Sequence, residues 1–362
     1  MENYSPFDEK SWDEFCASLQ EAGQQILANT PNDGLDKAEG FRYLARLTHH
    51  SLARFIEKPQ PLRPIFSYNA PKIGGDNPDY LYGSATISGR YEYIIRGKIN
   101  DAFNIGIGSY YGGLGSGKGL LRSGYLTLSD LKKDEKGNFK IIVSKTKQGE
   151  NWLPLFDESN SIMIRQTMLE RQNDEPADLK VELLNPGSVK KMHPKILSSK
   201  DFETSLQTAG LFIGGVVNQF INWTNTFREN PNKILTTDPK LLQFAEGDPN
   251  TLYYNGYFDL AEGEALEVTL DPPVCEYWNL QVTNYWLESL DYFDYNTNFN
   301  HSNAKINHDG KVIIVISKKN PGVDNWIDTA GHDRGCISMR WIKADNDSQP
   351  KTRLIKTINQ AD

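Results

Sequence analysis

Two hydrophobic periods divide this chain. Over residues 10–58 apolar positions recur every three or four: Trp12, Phe15, Cys16 and Leu19, then Phe41, Leu44, Leu47, Leu52 and Phe55. That spacing predicts two amphipathic helices, closed by Pro59, Pro61 and Pro64, which cannot continue a helical ladder. From about 62 to 186 the period drops to two. Tyr91–Arg96 and Asn104–Tyr110 alternate as half-buried strands do, separated by turn clusters such as Gly74-Gly75-Asp76-Asn77-Pro78 and Asp134–Asn138. Residues 200–228 return to a helical pattern, apolar nearly all round from Ala209 to Val217 with Gly210, Gly214 and Gly215. A helix of that composition packs tightly between two other elements. Short strands resume from about 250 to 344, and a polar, extended tail follows.

The two strand-rich stretches repeat one another. Lys140-Ile-Ile-Val-Ser144, Gly149, Asn151-Trp152 and Arg165 in the first are matched by Val312-Ile-Ile-Val-Ile-Ser317, Gly322, Asn325-Trp326 and Arg340 in the second. The interval from Tyr82 to Asn151 equals that from Tyr257 to Asn325 to within one residue, so whole units are duplicated. Many short strands per unit need two sheets to cover each other. The expected fold is therefore mainly β: two tandem β-sandwich or jelly-roll-like units, an N-terminal helical segment and a helical insertion between the units. The boundaries fall at 1–61 for the helical segment, 62–190 for the first unit and 191–249 for the helical connector. The second unit spans 250–345 and the polar tail 346–362.

Composition narrows the class. The chain has 362 residues, 38% hydrophobic and 24% charged, which suits burial of sizeable cores. A net charge of −8 argues against nucleic acid or an anionic membrane as partner. No apolar run is long enough to span a bilayer, and the start Met1–Asp8 lacks a secretion signal, so the cytoplasm is the expected location. Cys16, Cys275 and Cys336 are scattered, without the spacing of a disulfide framework or a zinc site.

The motifs Gly75–Tyr82, Gly149–Pro154, Ser161–Thr167, Trp286–Asp291 and Gly322–His332 occur in order. In them the chain resembles the largely bacterial "domain of unknown function 1214" family, often found beside a "domain of unknown function 1254". The likeness covers roughly residues 36 to 357. It implies a jelly-roll-like C-terminal unit on an all-β framework with helical insertions. It implies no activity and no catalytic residue.

Gly112–Gly119 nearly spells a phosphate loop, but Gly119 stands where Ser or Thr must follow Lys118, so a glycine-rich loop between strands, able to act as a flap, is expected. Asp76, Asn77 and Asp79 offer oxygens without a calcium-loop pattern, and Pro78 favours a turn. No metal or cofactor is expected. The Asn-Trp pairs and Arg165 and Arg340 recur in both copies, so a structural role explains them more economically. Residues that carry function are then expected where the copies differ.

The largest difference follows the second Trp. Asp328, His332 and Arg334 there offer an orienting carboxylate, a general acid/base and an anion holder. A second divergent stretch supplies Glu288 and Asp291 for acid–base work, with Tyr285, Trp286, Tyr292 and Asn300 as substrate contacts. The expectation is a cofactor-independent lyase, isomerase or hydrolase acting on a small organic molecule with an apolar or ring portion and an anionic group. Trp286 and Tyr292 would wall its pocket and the 200–228 helix would be its lid. The alternative is a non-catalytic carbohydrate- or ligand-binding or assembly protein on a double β-sandwich. Homo-oligomerisation stays open under both.

Overall fold

The computed structural model describes residues 6–31, 33–57, 60–188 and 197–357. Pro59 and most of the chain start lie outside them. Helices α1 (Lys10–Asn29) and α2 (Gly34–Phe55) form where the period predicts, with Asp33 capping α2 by accepting from the Leu35 amide. Their buried faces differ from the expected ones. Trp12, Cys16 and Phe41 are exposed, while α1 buries Phe15, Ala22 and Ile26. The buried stripe of α2 is Asp36, Glu39, Gly40, Tyr43 and Leu47, polar at its start.

The first unit contains β1 (Tyr80–Thr86), β2 (Tyr93–Lys98), β3 (Asn104–Gly113), β4 (Gly119–Thr127), β5 (Asn138–Ser144), β6 (Trp152–Pro154), β7 (Ser161–Thr167) and β8 (Asp178–Leu183). Helix α3 (Ser199–Arg228), strand β9 (Lys233–Thr236) and the short α4 (Pro239–Leu242) lead to the second unit. That unit contains β10 (Thr251–Asp259), β11 (Glu264–Leu270), β12 (Tyr277–Thr283), β13 (Asn298–Asn300), β14 (Val312–Ser317), β15 (Trp326–Asp328), β16 (Arg334–Ile342) and β17 (Lys351–Lys356).

The duplication is visible in the strand orders. Sheets β1-β7-β3-β4 and β6-β5-β2-β8 of the first unit recur as β10-β16-β12-β13 and β15-β14-β11-β17 in the second. Residues 346–362, expected as a tail, supply β17, the edge strand that answers β8; 358–362 lie outside the described residues.

The repeated residues fold alike. Asn151 Nδ2 donates to the carbonyls of Lys132 and Lys140, and Asn325 Nδ2 to those of Lys305 and Ile313. Trp152 and Trp326 each donate from Nε1 to the carbonyl of the Ser ending the neighbouring strand, Ser144 or Ser317, at 3.1 Å. Both pairs are structural, as expected.

Each sandwich has its own apolar core, around Ile95, Ile141 and Ile164 in one and Val268, Ile314 and Met339 in the other. A third core lies where α1, α2 and α3 meet the second unit, with Trp286 and Tyr285 inside it. Among the described residues, no helix is long and apolar enough to cross a membrane.

The segment before β1, expected as a turn, is zippered to the second unit. Lys72 Nζ donates to the carbonyls of Ser289 and Leu290, and the Gly75 amide to that of Leu287. Asp76 accepts from the amide and hydroxyl of Ser289, and Asn77 joins Tyr277 and Asn279. Asp79 accepts from Tyr277 Oη at 2.6 Å, Asn300 Nδ2 at 2.9 Å and Asn298 Nδ2 at 3.0 Å. The oxygens weighed as calcium ligands are thus occupied by protein donors.

Candidate functional site

The outward faces of β1 and β7 in one unit and β10 and β16 in the other look into a common cavity of about 820 Å³, closed by α3 and the glycine loop after β3. Alternation in the strands explains its wall. Ile162 and Ile164 point into their own sandwich, so Met163 and Arg165 point out; Ile337, Met339 and Trp341 point in, so Ser338 and Arg340 point out. Tyr82 stands opposite Arg165 in the β1–β7 ladder and Tyr253 opposite Arg340 in the β10–β16 ladder. The partner of Tyr82 in the second unit is by this register Tyr253, not Tyr257 as equal spacing suggested.

The same Tyr/Arg pair therefore enters the cavity from both units. Arg165 Nη1 donates to Tyr110 Oη at 2.9 Å. Arg340 donates to Gln281 Oε1 at 2.9 Å and to the Gly75 carbonyl. Among the described residues neither guanidinium pairs with a carboxylate, and each of the five-donor groups keeps donors to spare. Burial opposes the Arg165 charge, but the phenols of Tyr110, Tyr125, Tyr253 and Tyr82 hold its pKa above the usual range.

The acids in the wall are already served. Ser289 caps Asp76, Asn250 donates to Asp248, and Arg122 lies 3.8 Å from Glu246. Burial raises the Asp76 pKa, with Ser289, Lys72 and Arg340 offsetting only part of it.

The opposite wall is apolar. Phe220, Trp223, Phe212 and Leu211 of α3 line it with Ile73 and Leu114. The helix fits there because Gly215 rests against the Gly115 carbonyl, where any Cβ would collide with backbone. Gly115 itself has φ +70°, a conformation glycine adopts without cost.

His50 and Arg54 of α2 complete the rim. Burial, then the charge of Arg54, lowers the His50 pKa to about 4, so the imidazole is neutral at pH 7. The unfolded chain takes up this proton near 6.5 and the folded chain near 4, so stability falls as pH drops between those values. His50→Phe should flatten the stability–pH curve across that window, removing a loss of up to about 3 kcal/mol at its acid end. Urea midpoints measured from pH 7 to pH 4 check this, and an unchanged slope would refute it.

None of the sequence-selected site residues lines the cavity. Trp286, Glu288 and His332 meet instead in a buried polar cluster on the helical side. His332 is 4% exposed, with Nδ1 3.4 Å from Asp36 Oδ1 and Nε2 3.3 Å from Glu39 Oε2. Burial opposes its charge, but the two carboxylates outweigh burial and hold its pKa at about 9. Asp328 is not its carboxylate partner. It accepts from the Ala330 amide and so shapes the turn that carries His332.

Glu288 receives Arg46 Nη1 at 2.5 Å and Asn284 Nδ2 at 3.0 Å, yet burial leaves its pKa raised. Trp286 and Tyr285 are core residues, and Trp286 Nε1 donates to the Asp36 carbonyl. Asn300 belongs to the Asp79 latch, and Asp291 is exposed. Tyr292 lies under Lys72 and Arg171, and Arg334 opens β16 opposite Asp259.

The sequence profile described as "Protein of unknown function (DUF1214)" matches residues 257–346. The crystal structure of an uncharacterised protein from Burkholderia cenocepacia is 35% identical, covering 96% of this chain and 97% of that one, with a TM-score of 0.91. The VPA0106 protein of Vibrio parahaemolyticus is 11% identical over 93% of this chain and 100% of that one, with a TM-score of 0.51; that likeness concerns fold alone. No curated protein matches the chain.

Proposed function

The chain belongs to the DUF1214 family of unknown function, and for this member we propose binding of a small organic anion with an apolar portion in the cavity between the two units. The observation that carries this reading is the pair of guanidiniums, Arg165 and Arg340, turned into one cavity with no carboxylate partner among the described residues. Two guanidiniums that face one cavity and hydrogen-bond no carboxylate, with Asp76 only a more distant charge on Arg340, favour an anionic ligand, and planar guanidinium suits a carboxylate, sulfonate or phosphate. The volume lies within the range of about 300–1,000 Å³ usual for small-molecule sites. The aromatic side chains of α3 supply an apolar berth for the rest of the ligand. The acid–base residues expected from sequence lie outside this cavity, so none of them supports turnover there.

The test uses 8-anilinonaphthalene-1-sulfonate as an anionic probe and N-phenyl-1-naphthylamine as its uncharged counterpart. Arg165→Gln should weaken the sulfonate by about tenfold or more, the worth of a charge-assisted hydrogen bond, and leave the amine nearly unchanged. Equal losses for both probes, or none for the sulfonate, would overturn the reading.

A further inference from the structure

We infer that Asp36, Glu39 and His332 form a site for one divalent transition-metal ion, with Zn²⁺ the best match to the donors. One ligand atom from each residue lies within 4.8 Å of the other two, and all three residues are buried. Asp36 and Glu39 stand three apart on α2 and so share a face. The turn that begins at Asp328 brings His332 to that face: the His332 amide donates to the Thr329 carbonyl, and Thr329 Oγ1 donates back to the His332 carbonyl.

The second observation is Asp36 Oδ1. The residue is 2% exposed, the atom is shut off from solvent, and it accepts no hydrogen bond. Buried carboxylate oxygens are nearly always met by donors or cations, and this one faces an imidazole nitrogen at 3.4 Å. A cation held between imidazole and the two carboxylates would satisfy it.

The surroundings resemble the support a metal site needs. Asn284 Nδ2 donates to Glu39 Oε2 at 2.9 Å and to Glu288 at 3.0 Å, while Trp286 Nε1 fixes the backbone of Asp36. Three buried carboxylates, Asp36, Glu39 and Glu288, face Arg46, the more exposed Arg42 and His332, so a metal ion there would take the place of the proton His332 carries. One nitrogen and two oxygens suit Zn²⁺ with a further position for water. None of the three residues lines the cavity, so this site is separate from the proposed anion site. An ion there would staple α2 to the second unit and couple metal binding to folding.

The experiment strips the full-length protein with chelator and titrates it with Zn²⁺ by calorimetry and with Co²⁺ by absorption and proton NMR. Stoichiometric binding is expected, with a rise in Tm, and Asp36→Asn should weaken it by at least about a hundredfold. Should that variant fail to fold, the wild-type Co²⁺ spectrum decides, because an imidazole ligand must give strongly shifted ring-proton resonances. No stoichiometric binding, undiminished binding by Asp36→Asn, or no shifted imidazole would overturn the inference and leave His332 an ion-paired imidazolium.

Discussion

Asp79→Ala is expected to cost about 3–5 kcal/mol of unfolding free energy, the scale of breaking a buried charged network from one side. The carboxylate is 7% exposed and accepts from Tyr277, Asn298 and Asn300, all on strands of the second unit, although Asp79 itself precedes β1 of the first. Truncation leaves the buried Tyr277 phenol, the buried Asn300 amide and the half-buried Asn298 amide without this acceptor. Burial raises the Asp79 pKa, and the Tyr277, Asn300 and Asn298 hydrogen bonds offset only part of it, so the carboxylate is already held at a cost. Asp79→Asn keeps the shape but loses charge and one acceptor, and should show a smaller loss. Because each sandwich has its own core, the damage falls on docking, and the urea transition should broaden as the units uncouple. A sharp transition with a loss below about 1 kcal/mol would contradict the latch.

The fold was legible because duplication is a long-range signal written locally. Asn151-Trp152 and Asn325-Trp326 recur because each closes the same turn with the same bonds. The helix at 200–228 was legible from its apolar girth, and it lies between the other helices and the second unit as that composition requires. Less legible was the end of the chain. Lys351–Lys356 is polar because β17 is an edge strand, and its side chains pair with Glu264 and Glu267 rather than filling a core. Polar composition there marks an edge strand, although by itself it reads as a tail.

The site was less legible for a different reason. Recurrence in both copies gives the repeated arginines a structural reading, but the two units pack face to face and bring both guanidiniums to one cavity. Sequence comparison between copies cannot reveal that packing. The divergent loop did mark something real: His332 is buried among charged groups, yet its partners Asp36 and Glu39 lie almost the whole chain away. One signal for them was present. Asp36 and Glu39 occupy the same stripe of α2 as Tyr43 and Leu47, and carboxylates on an inward stripe need a partner.

Trp286→Ala is expected to destabilise the protein by about 3–5 kcal/mol, as for other fully buried large aromatics. Its indole is 1% exposed, stacks on Tyr43 with ring centroids 6.4 Å apart, and meets Tyr285 edge-on at 5.0 Å. Gly40 is glycine because the indole occupies the space a Cβ would need, 2.8 Å from ring carbons. Removing the ring opens a void that α2 cannot close without moving, and frees the Asp36 carbonyl from the indole N–H. A Trp in a substrate pocket would behave otherwise: its loss would weaken ligand and spare the fold. Denaturation and sulfonate-probe titration of the one variant separate these cases. A large fall in stability with probe affinity nearly intact fits a core residue. The opposite pattern would return Trp286 to the ligand and move the binding site to the helical side of the second unit.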